Sequence, residues 1–236
     1  MQLTFTLPST DVVDNHPKKD QSTLTVDINT LVIAGWAGRD PEAIAHHISE
    51  LEALGVPRPS AVPLFYRVAA NQLTQSHSVE VIGTASSGEA EVFIFSHQGE
   101  VFVSLASDHT DRELESHSVA LSKQLCVKPV ATQAWRMSEV AGHWDQLILR
   151  AWIKEDGEFR LYQEGTLVSL RKPDDLLGRY LTDGEVPPEG LGMTCGTVAA
   201  IGGIRPATEF RMELVDEQSG RRICHDYLSR ELPVIA

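Results

Sequence analysis

The sequence predicts an α+β fold in which β-structure dominates. Strand-like runs rich in Val, Ile, Thr and Phe recur at 2–7, 22–27, 79–84, within 87–115, and at 146–153, 210–216 and 223–228. Helix signatures are fewer, with capped patterns at 40–55 and 172–181 and a helix-forming composition from Asp111 onwards. Tight-turn pairs, Gln98-Gly99 and Asp156-Gly157, divide strand runs as hairpin turns do.

Composition narrows the class. The 236 residues are 42% hydrophobic and 22% charged, enough for one sizeable core. A net charge of −13 with no Lys/Arg run argues against nucleic acid, whose phosphates need a basic face. No apolar stretch nears the roughly 20 residues of a membrane helix. MQLTFTLPST has no charged segment followed by an apolar one, so no secretory signal is expected. Cys126, Cys195 and Cys224 are scattered, without a CxxC pair. That usage points to a reducing, cytoplasmic compartment and no structural zinc.

At the N-terminus, 2–7 and 22–27 read as two strands around a polar loop, Asp14 to Lys19. Residues 1–30 are expected to form a small strand annex and 31–236 the main domain. Residues 31–36, LVIAGW, read as a short buried strand ending at Gly35. Asp40-Pro41-Glu42 then opens a helix with an N-cap, a proline at the first position and an acid in the first turn. Gly55 and Pro57 close it. Ile44, Ile48, Leu51 and Leu54 form its apolar stripe. His47 falls inside the stripe, Glu50 on its edge, and His46 points away. Three residues apart, His47 and Glu50 can touch, and a carboxylate beside a histidine makes a general base. On spacing alone, a half-buried histidine in an ordinary amphipathic helix is the commoner outcome.

The stretch 87–115 carries the strongest signal. It alternates on both sides of Gln98-Gly99, so hairpin partners have numbers summing to about 197. Ser86-Ser87-Gly88 is a polar turn that delivers Glu89 opposite Asp108, while Glu91 lies two residues along on the same face. Phe93, Phe95 and Phe102 share that face, so it is not simply solvated. Three carboxylates crowded there need protons or a cation. An oxygen-only set favours a hard ion, Mg²⁺ first, then Mn²⁺ or Ca²⁺. After Asp108, Arg112 offers a two-pronged fork for a substrate carboxylate, with a salt bridge to Glu115 or Asp111 as its ordinary fate. Downstream, 138–145 reads as a helical turn capped by Ser138, and 159–170 as the strand returning from Asp156-Gly157. Residues 172–181 read as a short helix, followed by a Pro/Gly-rich loop.

Glu89-Ala90-Glu91, a hairpin, then Asp108-His109-Thr110-Asp111-Arg112 resembles the fumarylacetoacetate hydrolase superfamily. Other pieces follow in the right order over roughly 31–230. Gly38-Arg39 before His47-Ile48-Ser49-Glu50 resembles the family's lid-helix dyad, with Asn-Tyr missing. Residues 57–74 resemble its proline-rich run, with Arg67 where lysine is usual. Lys123 occupies the place of the family's active-site lysine, with Lys128 the alternative ranked lower. Gln163 in Tyr162–Thr166, and Gly196-Thr197 in 193–203, resemble its substrate-lining segments, although Val198 replaces the usual proline.

The resemblance implies a mixed β-sandwich or roll of the family's C-terminal-domain type, usually a homodimer. It implies Mg²⁺ on Glu89, Glu91 and Asp108, and catalysis by His47, Glu50 and Lys123. Arg112, Gln163, Gly196 and Thr197 are implied to bind a small oxo-acid. The expected reaction is hydrolysis of a C–C bond in a diketo or acylpyruvate-type acid through an enolate. Decarboxylation, hydration and isomerisation are alternatives on the same scaffold. Two other classes stay open: a protein that binds a small carboxylate without turning it over, and an interaction domain whose carboxylates hold nothing.

Overall fold

Two β-sheets with a shared apolar layer between them form the body of the chain. The computed structural model describes residues 1–8, 12–13, 16–17, 22–53, 58–182 and 185–235, but not the side chains at 12, 13, 16, 17, 47, 50, 51 and 53. Most of the loop expected around 14–19, and the helix end at Leu54, Gly55 and Pro57, lie outside the described residues.

The larger sheet has six strands. In spatial order they are Trp135–Arg136, Glu100–Ser107, Ala90–His97, Leu191–Thr194, Thr30–Gly35 and Leu64–Val68. It is mixed, because Leu191–Thr194 runs parallel to Thr30–Gly35. The second sheet has five strands: Glu158–Thr166, Ile148–Glu155, Glu209–Asp216, Arg221–Leu232 and Ser78–Ile82. It too is mixed, with Ser78–Ile82 parallel to Arg221–Leu232. The architecture is α+β and β-rich, as expected.

Period-2 alternation explains how the layers meet. Val92, Ile94, Val103 and Leu105 project from the six-stranded sheet into one cluster with Ala151, Ile153, Met212 and Leu214 of the five-stranded sheet. Their neighbours project the other way. Phe93, Phe95 and Phe102 join Leu3, Phe5, Leu7, Val26 and Ile28 in a second cluster. All but Ile28 of those N-terminal residues come from Gln2–Leu7 and Ser22–Asp27, which pair antiparallel. Phe5 stacks on Phe95 at 4.4 Å and Phe95 on Phe102 at 5.3 Å. The central hairpin is therefore buried on both faces, which its alternation does not foretell.

The hairpin register is the expected one. Ala90 pairs with Ser107, Glu91 with Ala106, and the series runs to His97 with Glu100. Gln98 and Gly99 both take positive φ, 52° and 78°, the geometry of a two-residue turn that matches strand twist. Asp156 and Gly157 do the same at 52° and 84°.

Helix Pro41–Ala53 begins where expected, with the Asp40 carboxylate accepting from the amides of Glu42 (2.9 Å) and Ala43 (3.3 Å). Two short helices follow Asp108, Arg112–Glu115 and Val119–Leu125, and Asp111 and Ser118 cap them through their side chains. One capping expectation is corrected: helix Met137–Val140 starts from Arg136 without a side-chain cap, and Ser138 sits inside it. Arg136 is extended because it belongs to a strand paired with Glu100–Ser107. Tertiary pairing, not a hydroxyl, fixes that helix start.

Candidate metal centre

The site lies where the hairpin ends. Strand pairing continues one step past Ser107, so the Asp108 amide donates to the Glu89 carbonyl at 2.9 Å. Glu89, Glu91 and Asp108 each offer a carboxylate oxygen, and these oxygens lie within 4.8 Å of one another. Oxygens around a hard cation with bonds of about 2.1–2.4 Å stand about 3–5 Å apart, so the spacing fits. Glu91 and Asp108 are buried and Glu89 is half-buried.

Cations surround the carboxylates. The Lys123 ammonium donates to Asp108 Oδ2. Lys128 Nζ stands 3.1 Å from Asp108 Oδ1 and donates to the His109 carbonyl at 2.5 Å. Helix Val119–Leu125 delivers the first lysine. The second arrives on Lys128–Pro129, which pairs parallel with Leu73–Thr74. Both lysines reach Asp108, and the one ranked lower from sequence is the more deeply buried, 0% exposed against 6%. Arg112 donates from Nε to Ser87 Oγ (2.7 Å) and from Nη1 to Glu115 (2.9 Å). Its Nη2 meets Glu89 only at 3.4 Å. The expected Glu115 salt bridge is thus present, and one edge of the fork turns to the Glu89 carboxylate.

This arrangement splits the acids. Burial, then the charges of Asp108 and Glu89, pushes Glu91 up to about 8. Burial also opposes ionisation of Asp108, but the adjacent Lys123 and Lys128 ammonium groups hold it well below the carboxylate range. Lys123 is raised despite burial because Asp108, Glu89 and Glu115 all face it, whereas burial, aided by the charge of Lys123, lowers Lys128. Asp108 Oδ1 is buried without a hydrogen-bond partner, since Lys128 is near but misaligned. An oxygen-only set with one free buried acceptor suits a hard divalent cation.

The downstream residues grip the Glu-x-Glu segment itself. The Gly196 amide donates to Glu91 Oε2 at 2.8 Å. Thr197 Oγ1 donates to the Ala90 carbonyl at 2.7 Å, and the Ala90 amide donates to Gln163 Oε1 at 3.0 Å. Gln163 Nε2 closes the ring on Thr197 Oγ1 (2.7 Å) and the Val198 carbonyl (2.8 Å). Gln163, Gly196 and Thr197 are therefore brought to the site, with these groups engaged on its framework. His47 and Glu50 lie on helix Pro41–Ala53, and their side chains are outside the described ones. Arg39, just before that helix, binds Asp145 through both oxygens (2.8 and 3.1 Å) and the Leu170 carbonyl.

Two neighbours went unread in the sequence. Tyr66 places its ring 5.8 Å from the Lys123 ammonium. No local pattern marks it, because it meets Lys123 through the packing of Leu64–Val68 against helix Val119–Leu125, far along the chain. Ser87, expected in a turn, lies instead on the strand Ser86–Ser87 paired with Thr110–Asp111, and its hydroxyl orients Arg112.

Comparison with known proteins shows the same fold. A fumarylacetoacetate hydrolase family protein of yeast superposes with a TM-score of 0.62 at 15% identity, over 88% of this chain and 95% of that one. An Oleispira antarctica protein described as a candidate fumarylacetoacetate isomerase/hydrolase gives 0.62 at 16% identity, over 96% and 99%. A 2-keto-3-deoxy-D-arabinonate dehydratase, complexed with magnesium and 2,5-dioxopentanoate, gives 0.60 at 12% identity, over 94% and 86%. No curated protein matches the sequence. The profile of DUF2848, a protein family of unknown function, matches residues 34–227. The chain is a member of the DUF2848 family, built on the fold of the fumarylacetoacetate hydrolase proteins.

Proposed function

We propose that this protein is a metal-dependent enzyme that hydrolyses a C–C bond in a small oxo-acid of the diketo or acylpyruvate type. The observation that carries the reading is the convergence of Glu89, Glu91 and Asp108 within 4.8 Å, with two buried lysines on Asp108. Glu89, Glu91 and Asp108 would hold Mg²⁺, or Mn²⁺ or Ca²⁺ in its place. A bound divalent cation draws electron density from a chelated carbonyl.

The chain's own groups do the rest. Arg112, with its loosely engaged Nη2, binds the substrate carboxylate. Lys123 and Lys128 oppose the negative charge that builds on the oxo oxygen as the C–C bond breaks. His47, oriented by Glu50, takes a proton from the attacking water. The water oxygen bonds to the acyl carbon, the C–C electron pair passes to the carbon beside the oxo group, and that carbon ends protonated. Gln163, Gly196 and Thr197 hold the Glu91 strand in place for this chemistry.

The fold similarity to a dehydratase that binds magnesium and a dioxo acid supports a second reading, loss of water from a hydroxylated oxo-acid. We also propose a homodimer in the cytoplasm. No helix among the described residues is long and apolar enough to cross a membrane.

Calorimetric titration of metal-free protein with Mg²⁺ and Mn²⁺, with and without oxalate, tests the proposal, and Glu91→Ala serves as control. Ternary binding that disappears in the variant supports it, and turnover of diketo acids against hydroxylated oxo-acids then separates the two readings. Absence of binding heat in the wild type refutes it.

A further inference from the structure

Behind the metal centre runs a chain of buried polar groups to which no function has yet been given. The Glu89 amide donates to Ser107 Oγ at 3.1 Å. Ser107 Oγ and Tyr227 Oη are 2.8 Å apart, and Tyr227 Oη and His109 Nδ1 are 2.9 Å apart. Ser107, His109 and Tyr227 are 0%, 0% and 2% exposed.

A backbone amide can only donate, so Ser107 Oγ accepts from Glu89, and its remaining lone pair and proton are left for Tyr227 Oη. Tyr227 Oη in turn shares one proton with His109 Nδ1. Burial supports neutral partners at both ends. Desolvation, then the charges of Lys128 and Arg112, takes His109 down to about 3, and burial raises the Tyr227 phenol above its usual range. His109 Nε2 is buried without a partner. A core that retains an unmatched polar nitrogen keeps the imidazole for its other contact, since an isosteric apolar residue would carry no such penalty.

The arrangement bears on the carboxylates from two sides. Ser107 and His109 flank Asp108 in sequence, and Ser107 bonds directly to the Glu89 amide. Tyr227 belongs to Arg221–Leu232 of the other sheet, so the chain fastens the hairpin end to a separate layer. Gly88 leaves the room: a Cβ there would stand 2.5 Å from Tyr227 Oη and 2.6 Å from the Phe210 ring. A glycine just before Glu89 therefore lets the phenol approach.

We infer that Ser107, Tyr227 and His109 are positioning residues that fix Glu89 relative to Asp108 and so set the affinity of the metal centre. The inference rests on the metal reading above. Outer partners of metal ligands typically govern affinity by 10–100-fold, and this set acts through the backbone of one ligand.

Mn²⁺ titration by calorimetry on the full chain tests it, with Tyr227→Phe and Ser107→Ala beside the wild type. Ser104→Ala is the matched control, because Ser104 is a buried serine on the same strand whose hydroxyl bonds the Gln133 carbonyl, away from the site. The expected result is about a 10-fold loss of Mn²⁺ affinity in Tyr227→Phe and Ser107→Ala, with Ser104→Ala within about twofold of wild type. Thermal unfolding of all four proteins separates affinity from stability. If Tyr227→Phe and Ser107→Ala unfold earlier yet bind Mn²⁺ as wild type does, the three residues only support the fold and the inference is overturned. If one variant fails to fold, the other decides. A wild type that binds no Mn²⁺ refutes the metal reading, and this inference with it.

Discussion

Replacing Lys128 with methionine should destabilise the metal-free protein and tighten its hold on a divalent cation. Lys128 is fully buried, 3.1 Å from Asp108 Oδ1, and donates to the His109 carbonyl at 2.5 Å. Methionine keeps most of the length and volume of the stem and removes the charge. Asp108 keeps Lys123, but its second oxygen and the His109 carbonyl lose the Lys128 ammonium. Removing one partner of a buried ion pair costs about 3–5 kcal/mol. For a chain of this size that is a fall of about 10 °C in Tm. A divalent ion at Asp108 would meet one fewer repelling ammonium and would restore the missing positive charge. Mn²⁺ should therefore recover much of the loss, and the Tm rise it produces should exceed that of the wild type. The assay is thermal and urea unfolding of both proteins in chelator and in saturating Mn²⁺. A loss below about 1 kcal/mol in chelator, or an equal loss with and without Mn²⁺, would refute the reasoning.

Glu91 is raised to about 8 in the fold, so the native state holds a proton that the unfolded chain releases near its ordinary value of 4.5. The Glu91 contribution to metal-free stability should therefore fall as pH rises from about 5 to about 8, with a slope approaching about 1.4 kcal/mol per pH unit; below about 6.5 the lowered His109 and His225 act in the opposite sense, so the slope is read from the difference between wild type and Glu91→Gln in urea titrations. Thr197→Val removes the donor to the Ala90 carbonyl and the acceptor for Gln163. It should cost about 1–3 kcal/mol and weaken Mn²⁺ binding, and unchanged affinity would separate that clamp from the site. Phe5→Ala empties the stack on Phe95 and should cost about 3–5 kcal/mol in one cooperative transition. A separate early transition for the N-terminal strands would instead mark them as an independent unit.

The sequence by itself determined the hairpin and its carboxylates. Side-chain alternation has a period of two, and the Gln98-Gly99 turn admits one register, so Glu89 had to face Asp108. It also determined the start of helix Pro41–Ala53, because a cap acts within one turn. Lys123 was legible only through the family resemblance. That Lys128 reaches the same carboxylate depends on pairing with Leu73–Thr74, some 55 positions away in the chain. Gln163, Gly196 and Thr197 were noticed, but Gly196 and Thr197 grip Ala90 and Glu91 because Leu191–Thr194 pairs beside Ala90–His97, and Gln163 reaches Ala90 from the facing sheet. Tyr66, Tyr227 and the burial of both hairpin faces left no local trace at all. Turns, caps and alternation are written between near neighbours, where a few dihedral angles and one hydrogen bond decide the outcome. Which distant strand lies alongside, and therefore which polar groups meet in the interior, is decided by the summed burial of whole layers, and that sum exists only in the tertiary structure.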